Sequence, residues 1–358
     1  MIFLLNCRRF PVAIETEETT MKKLISMILC CVLVLALAGC AGTTVVVGEC
    51  TCPPESHNRA VPEGDLKTGL AIVPSLSKSA AATADANGKV DFDVTVVAVT
   101  VDGNGIIRNC VIDSVGATYE FTAAGTVEKV ATVEVLSKNQ KGDTYGMAKA
   151  SPIGKEWYQQ ADALAQFAVD KPVEDVKAGI IGGYATDADL ATSATIYLGG
   201  YVGAIEEAVA NAKVLGADAG QDLKLVITAS ANIADGKIQL DLDAAALTLD
   251  GEKITSCAID SLQAPVEFDT NGTITSDLTA PKTKQQKGSE YGMGKISSIG
   301  KEWNEQADYF CDFISGKTLT EVATIAVDEG TKTTDADLAT GCTIAIGGFQ
   351  KLIAKAAE

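Results

Sequence analysis

Residues 90–101, VDFDVTVVAVTV, alternate apolar and polar side chains and are rich in β-branched residues, the period-two pattern of a half-buried strand. DGNG at 102–105 supplies a turn, and residues 106–115 return in the same rhythm, so the segment predicts an antiparallel hairpin. The device recurs downstream: residues 237–249 alternate, Asp250 and Gly251 turn, and residues 253–262 return. After each hairpin the period changes to about 3.6. Within residues 152–169, Trp157, Ala161, Leu164, Ala165 and Phe167 or Ala168 fall at helical spacing, as Trp303, Ala307, Phe310 and Ile314 do later. Residues 202–214 and 349–357 add a further helical pattern to each group. The expected class is α+β, an antiparallel sheet with packed helices, made twice.

The repetition extends to identical words. TDADLAT occupies 186–192 and again 334–340, and SPIGKEWYQQAD from Ser151 agrees with SSIGKEWNEQAD from Ser297 at nine of twelve positions. NCVIDSV, with Cys110 and Asp113, answers SCAIDSL, with Cys257 and Asp260. The offset of about 147 residues is the size of a domain rather than of a solenoid unit. A tandem duplication is expected, with domains at 70–215 and 221–358 divided where GADAGQ interrupts the helical pattern.

Ahead of the repeats, Met21 is followed by Lys22 and Lys23, an apolar run at 24–38, and small residues ending in LAGC at Cys40. A basic start, about fifteen apolar residues and a small-residue exit describe a secretory signal rather than a membrane span. LAGC also resembles the bacterial lipoprotein signal, which implies a lipid on Cys40 and residues 1–39 as a removed leader, with Met21 the better start. Residues 40–69 hold Pro53, Pro54 and Pro62 and read as a tether. The expected location is the extracytoplasmic face of the cell envelope, anchored to the membrane by lipid.

The net charge of −18 excludes nucleic acid as a partner, since counterion replacement needs clustered Lys and Arg. His57, the only histidine, lies in the tether, so histidine-based nucleophilic catalysis is disfavoured. A hydrolase is disfavoured too, because only scattered carboxylates remain as bases. Cys110 and Cys257 read as small buried residues, and Cys50 with Cys52 lacks the further ligands of a metal site. No metal is expected.

Asp189, Leu190, Ala191, Thr192, Ser193, Ala194, Thr195 resembles the signature of the FMN-binding domain family: Asp, two variable residues, Ser or Thr, Gly or Ser, Ala, Thr. That family occurs in a subunit of sodium-pumping quinone reductase and in extracytoplasmic flavin lipoproteins. The resemblance implies a separate, magnesium-dependent flavin transferase that joins FMN through its phosphate to the last threonine, hence Thr195. The second copy, with Asp337, Thr340, Gly341 and Thr343, departs from the pattern where Cys342 stands for alanine, which makes Thr343 the weaker acceptor. GIIRNCVID and EKITSCAID are similar to the strand and turn that open the family's domain. A threonine hydroxyl is a poor nucleophile alone, so the chemistry suits a partner enzyme with a metal and an acceptor beside small residues such as Ser193 and Ala194. A helix starting soon after Thr195, near Gly199 and Gly200, offers backbone N–H groups to a phosphate.

The expectation is an electron carrier with covalent FMN and unidentified redox partners, rather than an enzyme with its own substrate. Tyr145 with Met147, and Tyr291 with Met293, recur as YGM and are candidates to face the ring. Each motif also has a structural explanation. TDADLAT suits a helix capped by Asp187 or Asp189, and the YGM residues and Trp157 and Trp303 suit core packing. Lys155, Glu156, Lys301 and Glu302 suit a solvated helix start or a ligand contact. The alternative function is a structural or ligand-binding surface lipoprotein that keeps the fold without a cofactor.

Overall fold

The computed structural model describes residues 66–279 and 281–358; the leader, Cys40, Cys50, Cys52 and His57 lie outside them. The first repeat runs β1 (Leu66–Ser75), β2 (Gly88–Val101), β3 (Ile107–Phe121), β4 (Ala131–Glu134), α1 (Lys138–Lys141), α2 (Trp157–Ala168) and α3 (Val173–Ala178). It continues through the short ribbon β5 (Ile180–Ile181) and β6 (Tyr184–Ala185), α4 (Ala188–Ser193) and α5 (Gly199–Ala210), and β7 (Lys213–Ala217) leads out of it. The second repeat runs β8 (Asp222–Ala234), β9 (Lys237–Asp250), β10 (Lys253–Glu267), α6 (Lys284–Lys287), α7 (Trp303–Ile314), α8 (Leu319–Ala323), α9 (Ala336–Ala339) and α10 (Gly347–Ala354).

Both expected hairpins form. β2 pairs β3 from Gly88 against Phe121 to Val101 against Ile107, and β9 pairs β10 from Lys237 against Glu267 to Asp250 against Lys253. Each becomes a four-stranded sheet of antiparallel neighbours, in the orders β3-β2-β1-β7 and β10-β9-β8-β4. With helices packed on the sheets, the fold is α+β.

The alternation in the strands is explained by three layers of contact. Along β2, Val90, Phe92, Val94, Val96 and Ala98 face a core shared with Ile238, Leu240, Leu242, Ala244 and Ala246 of β9. On the opposite face Val97, Val99 and Val101 lie under Trp157, Leu164, Leu198 and Ile205, while Ala245, Leu247 and Leu249 lie under Trp303, Phe310, Ile346 and Ile353. Asp91, Asp93 and Thr95, like Gln239, Asp241 and Asp243, occupy the outward positions before the helical cover begins. The change from alternating to continuous apolar sequence thus marks the edge of the helix layer.

The two repeats therefore bury their inner faces against one another. β4 of the first repeat completes the second sheet by pairing Ala131–Glu134 with β8. Phe121 and Phe268, equivalent positions of the two copies, stack with ring centroids 3.9 Å apart. Separate domains at 70–215 and 221–358 would lack this shared core and this exchanged strand.

Several boundaries differ from those read in the sequence, and three have a clear local cause or pairing partner. Residues 66–69, assigned to the tether, are the start of β1. Residues 213–214, assigned to a helix, belong to β7: α5 stops at Ala210, Asn211 turns its side chain to the Leu70 carbonyl at 3.1 Å, and the chain pairs with β1. The helix expected from residue 152 begins at Trp157, because Gly154 adopts a left-handed φ of 66° and Glu156 caps the first turn.

Candidate functional site

The repeated words converge on one joint in each copy. Gln160 and Gln306, on α2 and α7, are fully buried. The Gln306 Oε1 accepts the Thr343 backbone N–H at 2.8 Å and its hydroxyl at 3.1 Å; Gln160 receives Thr195 in the same way at 2.9 and 3.2 Å. The Gln306 Nε2 donates to the Lys301 carbonyl at 2.9 Å, to Ser297 Oγ at 3.2 Å and to Met293 Sδ at 3.7 Å. One amide ties the threonine turn to the SSIGKEW segment and to YGM.

Glu302 adds a second tie. Its carboxylate accepts the Met293 N–H at 2.8 Å, as Glu156 accepts the N–H groups of Met147 and Ala148 at 2.8 and 3.0 Å. Glu156 is buried rather than solvated, so its role is to hold the YGM turn, whose Gly146 and Gly292 take left-handed φ values of 79° and 78°. In TDADLAT the caps are Asp187 and Asp335, each accepting two N–H groups of α4 or α9. Asp189, Thr192, Asp337 and Thr340 are exposed, and the two threonine hydroxyls bond back to the Asp189 and Asp337 carbonyls at 2.8 and 2.7 Å.

The residues beside the acceptors vary in compensated pairs. A side chain at Gly341 would meet the Tyr309 ring at 2.3 Å, whereas the first copy combines Ser193 with Ala163. Ala194 and Cys342 fill the same buried slot, where burial pushes the Cys342 thiol up to about 11.

A pocket of about 500 Å³ opens beside Thr343. Tyr291, Met293, Trp303, Gln306 and Phe349 line it, together with Asp243, Ser261, Lys284, Lys332, Ala345 and Gly348. Its size is that of small-molecule sites. The Lys284 ammonium lies 5.4 Å from the Tyr291 ring centre and 4.9 Å from that of Trp303. Asp243, at the edge of the helix layer, accepts the Ser261 hydroxyl, and burial raises its carboxyl above the usual range. Next along β10, Asp260, which lines a different pocket, accepts the N–H groups of Ser261 and Gln285 at 2.7 and 3.0 Å, and burial pushes it up to about 6.

The first copy has Thr95 where Asp243 stands, paired with Ser114 as Asp243 is with Ser261. Tyr197 replaces Ala345, and its ring lies so close to Gly183 that a side chain there would meet it at 2.0 Å. Tyr184, the counterpart of Lys332, meets Tyr197 edge to face at 5.7 Å between centres. Tyr201 replaces Phe349 and accepts the Trp157 Nε1 proton at 3.0 Å. Tyrosines thus stand at positions that in the second copy line a pocket: Tyr201 is satisfied by Trp157, while Tyr184 and Tyr197 pack on each other and stay largely exposed.

Sequence reasoning missed Gln160 and Gln306, although both lie inside the repeated SPIGKEWYQQAD and SSIGKEWNEQAD blocks. It also missed Lys138 and Lys284, whose signal was the matched SKNQKG and TKQQKG before YGM. Asp243, Lys332 and Ala345 left none, being differences between the copies. Among the described residues no group of His, Cys, Asp and Glu side chains is arranged for a metal ion, and no helix is long and apolar enough to cross a membrane. Comparison with known proteins finds no matching family model, no matching curated protein and no matching solved structure.

Proposed function

We propose that this chain is a lipid-anchored, extracytoplasmic flavoprotein that carries covalent FMN and transfers electrons at the cell surface, with the second repeat as the loaded site. The observation that carries this reading is the position of Thr343, the final residue of the family-like signature, on an aromatic-walled pocket shared with Lys284 and Lys332. The residues fit the group. Half-buried Tyr291 offers a ring, with buried Trp303 and Phe349 as the apolar wall behind, the two lysines offset phosphate charge, and Gly348 brings the uncapped start of α10 to the same pocket.

FMN, when bound, supplies redox chemistry that the side chains of the chain do not. Gln306 fixes the Thr343 hydroxyl and leaves it without a base, so attachment falls to the separate metal-dependent transferase. The exposed Asp337 and Thr340 are available to that enzyme. Cys40 would supply the lipid anchor, and the covalent bond prevents loss of FMN by dilution outside the cell.

The first repeat favours the structural reading. With Tyr197 and Tyr201 occupying the equivalent positions, Gln160 and Thr195 serve the joint alone. A surface lipoprotein without cofactor is the corresponding alternative for the whole chain. Protein purified from its native envelope should absorb blue light, and the chromophore should stay with the chain after denaturation. A colourless chain from cells in which a known flavinylated domain is coloured would favour the alternative.

A further inference from the structure

Cys257 lies on β10 and Cys311 on α7, with relative exposures of 4% and 5%. The two cysteines belong to one apolar cluster between β10 and α7, close enough for their thiols to interact. Both line a second pocket of about 460 Å³, where Thr68, Leu70 and Asn211 of the first repeat face β10 and α7. In the first copy the equivalent positions hold Cys110 and Ala165, so the duplication accounts for one thiol and leaves the second specific to this repeat.

We infer that Cys257 and Cys311 form a disulfide in the exported protein, stapling α7 to β10. The inference is independent of the flavin reading. α7 carries Trp303 and Gln306 and β10 carries Ser261, so the staple joins two walls of the Thr343 pocket. Oxidation removes two electrons and two protons from the thiols and forms one S–S bond. Oxidised glutathione, or a disulfide-exchange oxidant outside the cytoplasm, takes up the electrons and is released as two thiols. Burial pushes the Cys311 thiol well up, which makes its thiolate scarce in the folded chain, so the bond forms before α7 docks.

The test is peptide mapping of the mature chain, both purified from the cell envelope and refolded with oxidised glutathione, after alkylation without reductant. Trypsin places Cys257 in the peptide 254–282 and Cys311 in 302–317, each with a single cysteine. A linked 254–282/302–317 pair, separated by reductant, is expected. Recovery of both peptides fully alkylated from both preparations, or linkage of either to another cysteine, overturns the inference. Reduction should also lower the thermal midpoint by on the order of 5 °C, and should not do so in Cys311→Ala, which installs the first repeat's residue. An equal shift in both chains would overturn the staple.

Discussion

Gln306 uses both ends of its amide on one joint, accepting from Thr343 and donating to Lys301, Ser297 and Met293. Removing it leaves a part-buried N–H and a part-buried carbonyl without this partner, each costing about 1–2 kcal/mol. Gln306→Leu should therefore destabilise the chain by about 2–4 kcal/mol in urea unfolding. Thr343→Val removes a single hydroxyl bond and keeps the N–H contact, so its cost should be about 1 kcal/mol. Equal losses for the two variants would show that the amide is not the hub. This residue was hidden in the sequence because a glutamine in a helical pattern reads as surface. Only the return of the chain from α9 to α7 shows that it is inside.

The hairpins and the long helices were legible because a period of two and a period of 3.6 each follow directly from one-sided burial. β1 and β8 were less so: LAIV and LVITA meet the shared core on one face and approach the helix layer on the other, which blurs alternation. β4 and β7 are short edge strands whose identity comes from pairing partners far away in the chain. Asp113 and Asp260 stood out as matched residues, and the structure gives them the starts of α1 and α6. The native Asp260 carboxyl, at about 6, lies above its unfolded value of about 3.9, so the folded state holds the proton more tightly. Stability from this group is full below about pH 4 and is lost as the pH rises through about 6, an effect of about 3 kcal/mol at most. Acidifying from pH 7.5 to 5 should thus stabilise the wild type more than Asp260→Asn, read from urea midpoints at both values. A smaller gain in the wild type would contradict the assignment.

Duplication was plain from TDADLAT and SSIGKEW, but the way the copies meet was not, because inner and outer apolar positions look alike in a sequence. The shared core and the exchange of β4 predict that residues 70–215 and 221–358, expressed separately, will not unfold cooperatively, while the chain from residue 60 will. Calorimetry of the three chains decides this, and a cooperative transition in either half alone would show that one sheet suffices. The same comparison of copies bears on function. Thr195 has the intact signature, but Thr343 opens on the pocket lined by Lys332 and Ala345, where the first copy has Tyr184 and Tyr197 packed edge to face. The direct measurement is intact mass of the exported chain made with a flavin transferase, for the wild type, Thr195→Val and Thr343→Val. One added FMN on the wild type and on Thr195→Val, and none on Thr343→Val, is the predicted result. An FMN that persists on Thr343→Val, or no addition to the wild type while a known flavinylated domain in the same cells is modified, would contradict it.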